Sequence, residues 1–187
     1  MLAFWQSLGL IFAAELGDKS QLVALAFATR YRARLVISGV FAATLLVHLG
    51  SVALGHSLNV LLPDPWLGVG AGVAFITFGM WTLRGDRLDQ DPTRRRGHWG
   101  PFLTVAGTFF IAELGDKTML ATVTLAARDA SFVGIWLGST VGMVAADAVA
   151  IWAGVALGRR LPVLAIRYGA GAVFILTGAL TILSVLS

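Results

Sequence analysis

The sequence predicts an all-α integral membrane protein of six transmembrane helices, arranged as two inverted three-helix repeats. Three observations predict it. Apolar residues make up 57% of the 187 positions, charged residues 13%, and mean hydropathy is +0.82; soluble domains carry about 25% charged residues. Six apolar stretches reach, or nearly reach, the ~20 residues that a hydrocarbon core requires. A block of charged residues recurs unchanged in both halves.

The stretches run from Leu2 to Ala28, Leu35 to Leu58, Trp66 to Leu83, Pro101 to Ala127, Phe132 to Leu157 and Val163 to Leu186. In a chain this apolar they read as spans rather than as core helices. The first does not read as a cleavable signal peptide, because no basic region precedes it and Glu15, Asp18 and Lys19 lie within it. The connections are short except for a polar segment from Arg84 to Gly100, which reads as a solvated linker. The expected units are therefore residues 1–84, a linker over 85–100, and residues 101–187. The chain has no cysteine, which excludes disulfides, thiolate metal sites and thiol catalysis.

Basic residues set the expected orientation. With six spans, one face of the membrane receives Arg30, Arg32, Arg34, Arg84, Arg87, Arg94, Arg95, Arg96, Arg159, Arg160 and Arg167, against Arg128 alone on the other. The positive-inside rule places those eleven in the cytoplasm and both termini outside it. The net charge of +4 thus reflects topology, and nucleic acid is not an expected partner; the bilayer is.

The halves are copies. Ala14-Glu15-Leu16-Gly17-Asp18-Lys19 recurs as Ala112-Glu113-Leu114-Gly115-Asp116-Lys117, an offset of 98. Later the offset is 99: Gly39/Gly138, Gly55/Gly154, Phe75/Phe174 and Gly79/Gly178. Three spans per copy mean that the second enters from the opposite face. Inverted repeats of this kind are characteristic of secondary transporters, whose sites lie near midplane.

Lys19 and Lys117 are the only lysines, and with Glu15, Asp18, Glu113 and Asp116 they place six charges inside spans. Each costs roughly 2.5–3.5 kcal/mol on insertion scales. In a continuous helix the spacing lets Glu, Asp and Lys of one motif share a face, while Gly17 and Gly115 permit local unwinding that offers carbonyls to a cation. One reading is a self-neutralising packing device, with each lysine paired to an acid of its motif. It leaves one acid per motif uncompensated. Two motifs, each −1, sum to −2, which a divalent cation balances. Four carboxylates, the hydroxyls of Ser20 and Thr118 and the amide of Gln21 form an oxygen-rich set suited to Ca²⁺, Mn²⁺ or Mg²⁺ rather than copper or zinc. Met119 replaces Gln21 in the second copy, where it either packs or softens the site towards Mn²⁺.

The doubled motif, Glu15-Leu16-Gly17-Asp18-Lys19-Ser20 and Glu113-Leu114-Gly115-Asp116-Lys117-Thr118, resembles that of a cation/proton antiporter family. The family includes the Golgi manganese transporter associated with defective glycosylation, chloroplast manganese transporters and bacterial manganese exporters. The resemblance covers essentially the whole chain. It implies transport of Mn²⁺ and/or Ca²⁺ in exchange for protons, the motif acids Glu15, Asp18, Glu113 and Asp116 binding the ion. It further implies manganese efflux across the inner membrane in a bacterium. No catalysis and no resident cofactor are expected, the ion being substrate.

His48 and Asp147 are equivalent at the offset of 99 and lie within the second and fifth stretches. An intramembrane acid marks an ion or proton pathway by default, so Asp147 is a candidate ligand or proton carrier. His48 either packs or carries a proton. Lys19 and Lys117 are expected to tune charge. Two rivals stand beside this reading: an exporter of small cationic metabolites such as basic amino acids, and an intramembrane aspartyl protease using Asp18 and Asp116. The adjacent lysines oppose the protease, because a catalytic dyad must share a proton.

Overall fold

The computed structural model describes residues 1–84, 100–157 and 163–186. The segment 85–99, with Arg87, Arg94, Arg95 and Arg96, lies outside the described residues, as do Arg159 and Arg160. Every regular element is helical: α1 Leu2–Glu15, α2 Lys19–Ala28, α3 Ala33–Leu61, α4 Asp64–Arg84, α5 Pro101–Glu113, α6 Lys117–Arg128, α7 Phe132–Leu157 and α8 Val163–Leu186.

Among the described residues, four helical segments are long and apolar enough to cross a membrane: Ala33–Leu61, Pro65–Arg84, Phe132–Gly154 and Tyr168–Leu186. The first and fourth predicted stretches are each two short helices, broken at the motif glycines where the sequence leads one to expect a break or kink. With 14 residues α1 is only ~21 Å long, whereas α1 and α2 end to end, at ~36 Å, exceed the ~30 Å of a hydrocarbon core.

Each break is local chemistry. Gly17 and Gly115 adopt φ of 78° and 80°, the left-handed region where a Cβ is penalised. Each glycine stands just past the helix C-cap (Leu16 or Leu114), the position at which a left-handed glycine stops a helix. Asp18 and Asp116 follow in extended conformation as N-cap residues of α2 and α6. Gly-Asp is thus a stop followed at once by a start. The face shared by Glu, Asp and Lys of a continuous helix does not form.

Packing crosses between the halves. Helix α7 lies against α1 and α2, α3 lies against α5 and α6, and α4 pairs with α8. Apolar burial gives helices little drive to associate in lipid, so close approach at small residues carries the packing. The glycines occupy those approaches in equivalent pairs. A Cβ on Gly39 would meet Val105 of α5, and one on Gly138 would meet Ser7 of α1, Ser7 and Val105 themselves being 98 apart. Gly55 abuts Val123 of α6, and Gly154 abuts Leu25 of α2. Between α4 and α8, Gly72 faces the Gly178 carbonyl and Gly79 the Gly171 carbonyl.

Some equivalent residues touch each other. Thr44 Oγ1 lies 3.4 Å from Met143 Sδ, and the Phe75 and Phe174 rings stack at 6.1 Å. These contacts join α3 to α7 and α4 to α8. One end of the bundle collects the start of α1 and the ends of α6 and α8. Trp5, Gln6, Arg128, Asp129 and Thr181 line a cavity of about 600 Å³ there.

Candidate functional site

The two helix breaks bring the motifs together at the centre of the bundle. The ion pairs run crosswise: Lys117 Nζ lies 2.6 Å from Asp18 Oδ1, and Lys19 Nζ lies 3.1 Å from Asp116 Oδ1. Each lysine therefore serves the other half's aspartate, not its own motif as the packing reading has it. This geometry also opposes an aspartyl dyad, since each aspartate holds an ammonium.

The glutamates stand apart from these pairs. Glu15 is fully buried, and neither carboxylate oxygen has a hydrogen-bond partner. Glu113 is 1% exposed; its Oε2 accepts a bond of 2.9 Å from Thr118 Oγ1, and Oε1 has no partner. The two glutamates lie within electrostatic reach of each other. Buried carboxylates without partners are costly. They are also the groups that a cation or a proton satisfies.

Of the remaining candidates, Ser20 is buried beside Asp18 with its hydroxyl unpartnered. Asp147 on α7 is 1% exposed, has no hydrogen-bond partner on either oxygen, and lies within electrostatic reach of Asp18, Glu15 and Glu113. His48 on α3 is fully buried with both ring nitrogens unpartnered. Gln21 is turned from the carboxylates: its Oε1 accepts from the Gly17 amide at 2.8 Å and its Nε2 donates to the Ala146 carbonyl at 3.0 Å. Met119 occupies the same place, its sulfur 3.0 Å from the Gly115 amide nitrogen. Sequence reasoning missed this role, although a side chain four residues after each motif glycine was the available signal.

In this conformation, no group of three or more His, Asp or Glu side chains among the described residues is gathered closely enough to hold a metal ion. The site is also unequal on its two sides. The Lys117 side chain is 3% exposed and that of Lys19 30%. Beside the motif, in the second half of α1, Leu10, Ile11 and Ala14 pack with Phe75, Phe78, Phe174 and Ala121 in one apolar plug. Leu10 and Phe75 of this plug also line the 600 Å³ cavity.

Comparison with known proteins gives a consistent family. A family model described as divalent cation/proton antiporter GDT1 matches residues 3–90 and 101–187. A Vibrio cholerae protein named "Putative manganese exporter" is 34% identical over 180 residues, covering 94% of this chain and 88% of its own. GDT1-like protein 5 of Arabidopsis thaliana is 25% identical over 218 residues, with 97% and 95% covered. A GDT1-like protein of Synechocystis is 27% identical over 181 residues, with 86% and 87% covered. No solved structure matches. The doubled motif, the apolar helices and these matches agree: the chain belongs to the GDT1 family of divalent cation/proton antiporters, an integral membrane transporter family and not an enzyme class.

Proposed function

We propose that this chain exports Mn²⁺, and accepts Ca²⁺, in exchange for protons, through six spans built as two inverted repeats with both termini outside the cytoplasm. In this reading α1–α2 and α5–α6 each make one broken span. The glycine contacts and self-contacting residues support the two-fold relation. The cavity shared by the start of α1 and the ends of α6 and α8 supports the inversion. The share of each relative covered, 94% of this chain by the Vibrio protein named for manganese export, supports the choice of ion.

One observation carries the reading: the crosswise lysines pair with two of four motif carboxylates and leave Glu15 and Glu113 buried with no salt bridge, Lys117 lying only within electrostatic reach of Glu15. Four carboxylates less two ammonium groups give −2, the charge that one divalent ion balances. In this reading Glu15 and Glu113 are the first ligands, and Asp18 and Asp116 join as the lysines give way. A buried carboxylate is neutralised either by a cation or by a proton. Competition between them for the same oxygens is the physical basis of exchange, because a protonated site can return without metal.

The inequality of the two sides supports alternating access. An ammonium at mid-membrane depth that is 30% exposed looks into water, since lipid would cost several kcal/mol. Lys19 begins α2, which leads towards the arginine-rich 1–2 connection, so the site opens to the cytoplasm and the phenylalanine plug closes the other face. The test is ion flux into liposomes holding the purified protein, with Mn²⁺, Ca²⁺, Mg²⁺ and lysine compared side by side, with and without a proton gradient. Mn²⁺ flux that accelerates with an opposing proton gradient is the expected result. Flux of lysine alone would replace this reading with the cationic-metabolite exporter.

A further inference from the structure

The helix breaks look alike in sequence but are not held alike. In a helix that continued, the Gly17 amide would bond to the carbonyl four residues back. The break ends that ladder, and the amide needs another acceptor. Gln21 supplies one: its Oε1 lies 2.8 Å from Gly17 N, which fixes the amide orientation and turns Nε2 to the Ala146 carbonyl at 3.0 Å. Ala146 precedes Asp147 on α7. One side chain thus caps the broken end of α1 and ties it to the helix that carries the partnerless Asp147. In the second half Met119 offers only a thioether to Gly115, at 3.0 Å, and has no donor for any neighbouring helix. Sulfur is a weak acceptor.

Exposure follows the same division. Leu16 and Gly17 are half-buried, whereas Leu114 is 52% exposed and Gly115 is exposed. We infer that Gln21 is a positioning residue: it locks the first motif against α7 and makes the first break the stationary wall of the site, leaving the second break, held by Met119, as the wall that moves. The inference deepens the transport reading by assigning different mechanical parts to two motifs of identical composition. It also removes Gln21 and Met119 from the ligand set, since each side chain is engaged with a backbone amide.

The test uses the full chain and two variants that borrow each half's residue for the other. Gln21→Met keeps a weak cap on Gly17 and deletes the tether; Met119→Gln restores a strong acceptor to Gly115. Backbone hydrogen–deuterium exchange in metal-free micelles reads both segments. In the unaltered chain, residues 113–116 exchange faster than residues 15–18. Q21M accelerates 15–18 by about fivefold to tenfold, the equilibrium factor of one ordinary hydrogen bond, and M119Q slows 113–116. In liposomes Q21M raises the KM for Mn²⁺ severalfold while kcat stays within about twofold, as a misplaced wall predicts. Unchanged exchange at 15–18 in Q21M, or faster exchange at 15–18 than at 113–116 in the unaltered chain, overturns the inference. Because the exchange measurement needs no metal, a chain that fails to move Mn²⁺ would refute the transport reading and leave this inference standing.

Discussion

The crossed ion pairs make a quantitative prediction, because they differ in how far water reaches them. Lys117 and Asp18 are 2.6 Å apart, with side chains 3% and 1% exposed. Removing one partner of such a pair leaves a buried uncompensated charge, a loss of about 3–5 kcal/mol. Lys19 and Asp116 are 3.1 Å apart, and the lysine is 30% exposed, so water enters the space that its ammonium vacates. With the aspartate buried and only the lysine wet, the loss falls between that figure and the ~0–1 kcal/mol of a pair exposed on both sides. For a chain of this length 1 kcal/mol moves Tm by about 2–4 °C. Lys117→Met is therefore expected to lower Tm by roughly 6–20 °C, and Lys19→Met by clearly less. Thermal unfolding in one detergent without divalent ions measures both. The double variant D18N/K117M removes both charges and should recover most of the loss. Equal shifts for the two lysine variants, or a double variant no more stable than K117M, would refute the assignment of a dry and a wet pair.

Three further outcomes follow from the same site. Glu15→Gln or Glu113→Gln removes one of the two uncompensated charges, so each should cut Mn²⁺ flux by about a hundredfold or more, the cost of an unbalanced buried charge, at normal protein levels; full flux through both variants would sink the divalent-site reading. Asp147→Asn should impair flux more than His48→Gln, since the aspartate lies within reach of the motif acids; equal, near-normal flux in both would return these residues to packing. A reporter fused after Ser187 should lie outside the cytoplasm and one inserted near Arg95 inside it, and the reverse for either would remove the inverted topology.

Much of the fold was legible because its determinants are local. Hydropathy and length marked the apolar helices, and the offset of 98, then 99, marked residues that the structure sets in equivalent contacts. Gly-Asp within a span marked the place of each break, since a left-handed glycine can stop a helix and an aspartate can cap the next. What was not legible depends on how two distant breaks approach each other. Nothing in Glu-Leu-Gly-Asp-Lys says that Lys117 reaches Asp18 rather than Asp116, because either aspartate stands within a lysine's length in some arrangement. The same holds for Gln21 and Met119. Their chemical difference suggested a softened metal site, but both turn to a glycine amide that only the break leaves without its helical partner. His48 and Asp147 were legible as equivalents, while the placing of Asp147 within electrostatic reach of the acids follows from how α7 seats against α1 and α2.

The lysines explain why two carboxylate pairs can be buried at all. Without them the site would carry −4, and a divalent ion would still leave −2 in the low dielectric of the bundle. With both present the four motif carboxylates carry −2, which in the transport reading one divalent ion balances and a monovalent ion does not, Asp147 being a further acid within electrostatic reach. Charge number thus selects valence, and donor chemistry selects among divalent ions. Carboxylate and hydroxyl oxygens suit Mn²⁺, Ca²⁺ and Mg²⁺, and the site offers no thiolate that would favour a softer metal. The crosswise arrangement adds a second consequence. A lysine paired within its own motif would move together with its aspartate, whereas one paired across the axis must part from its aspartate when the halves shift. Ion-pair strength is then coupled to the relative position of the halves, and in the transport reading the wetter pair, Lys19–Asp116, opens first, because its ammonium already meets water although its aspartate is as buried as Asp18. That places the first movement at the second break, where Gly115 lacks the clamp that Gln21 gives to Gly17.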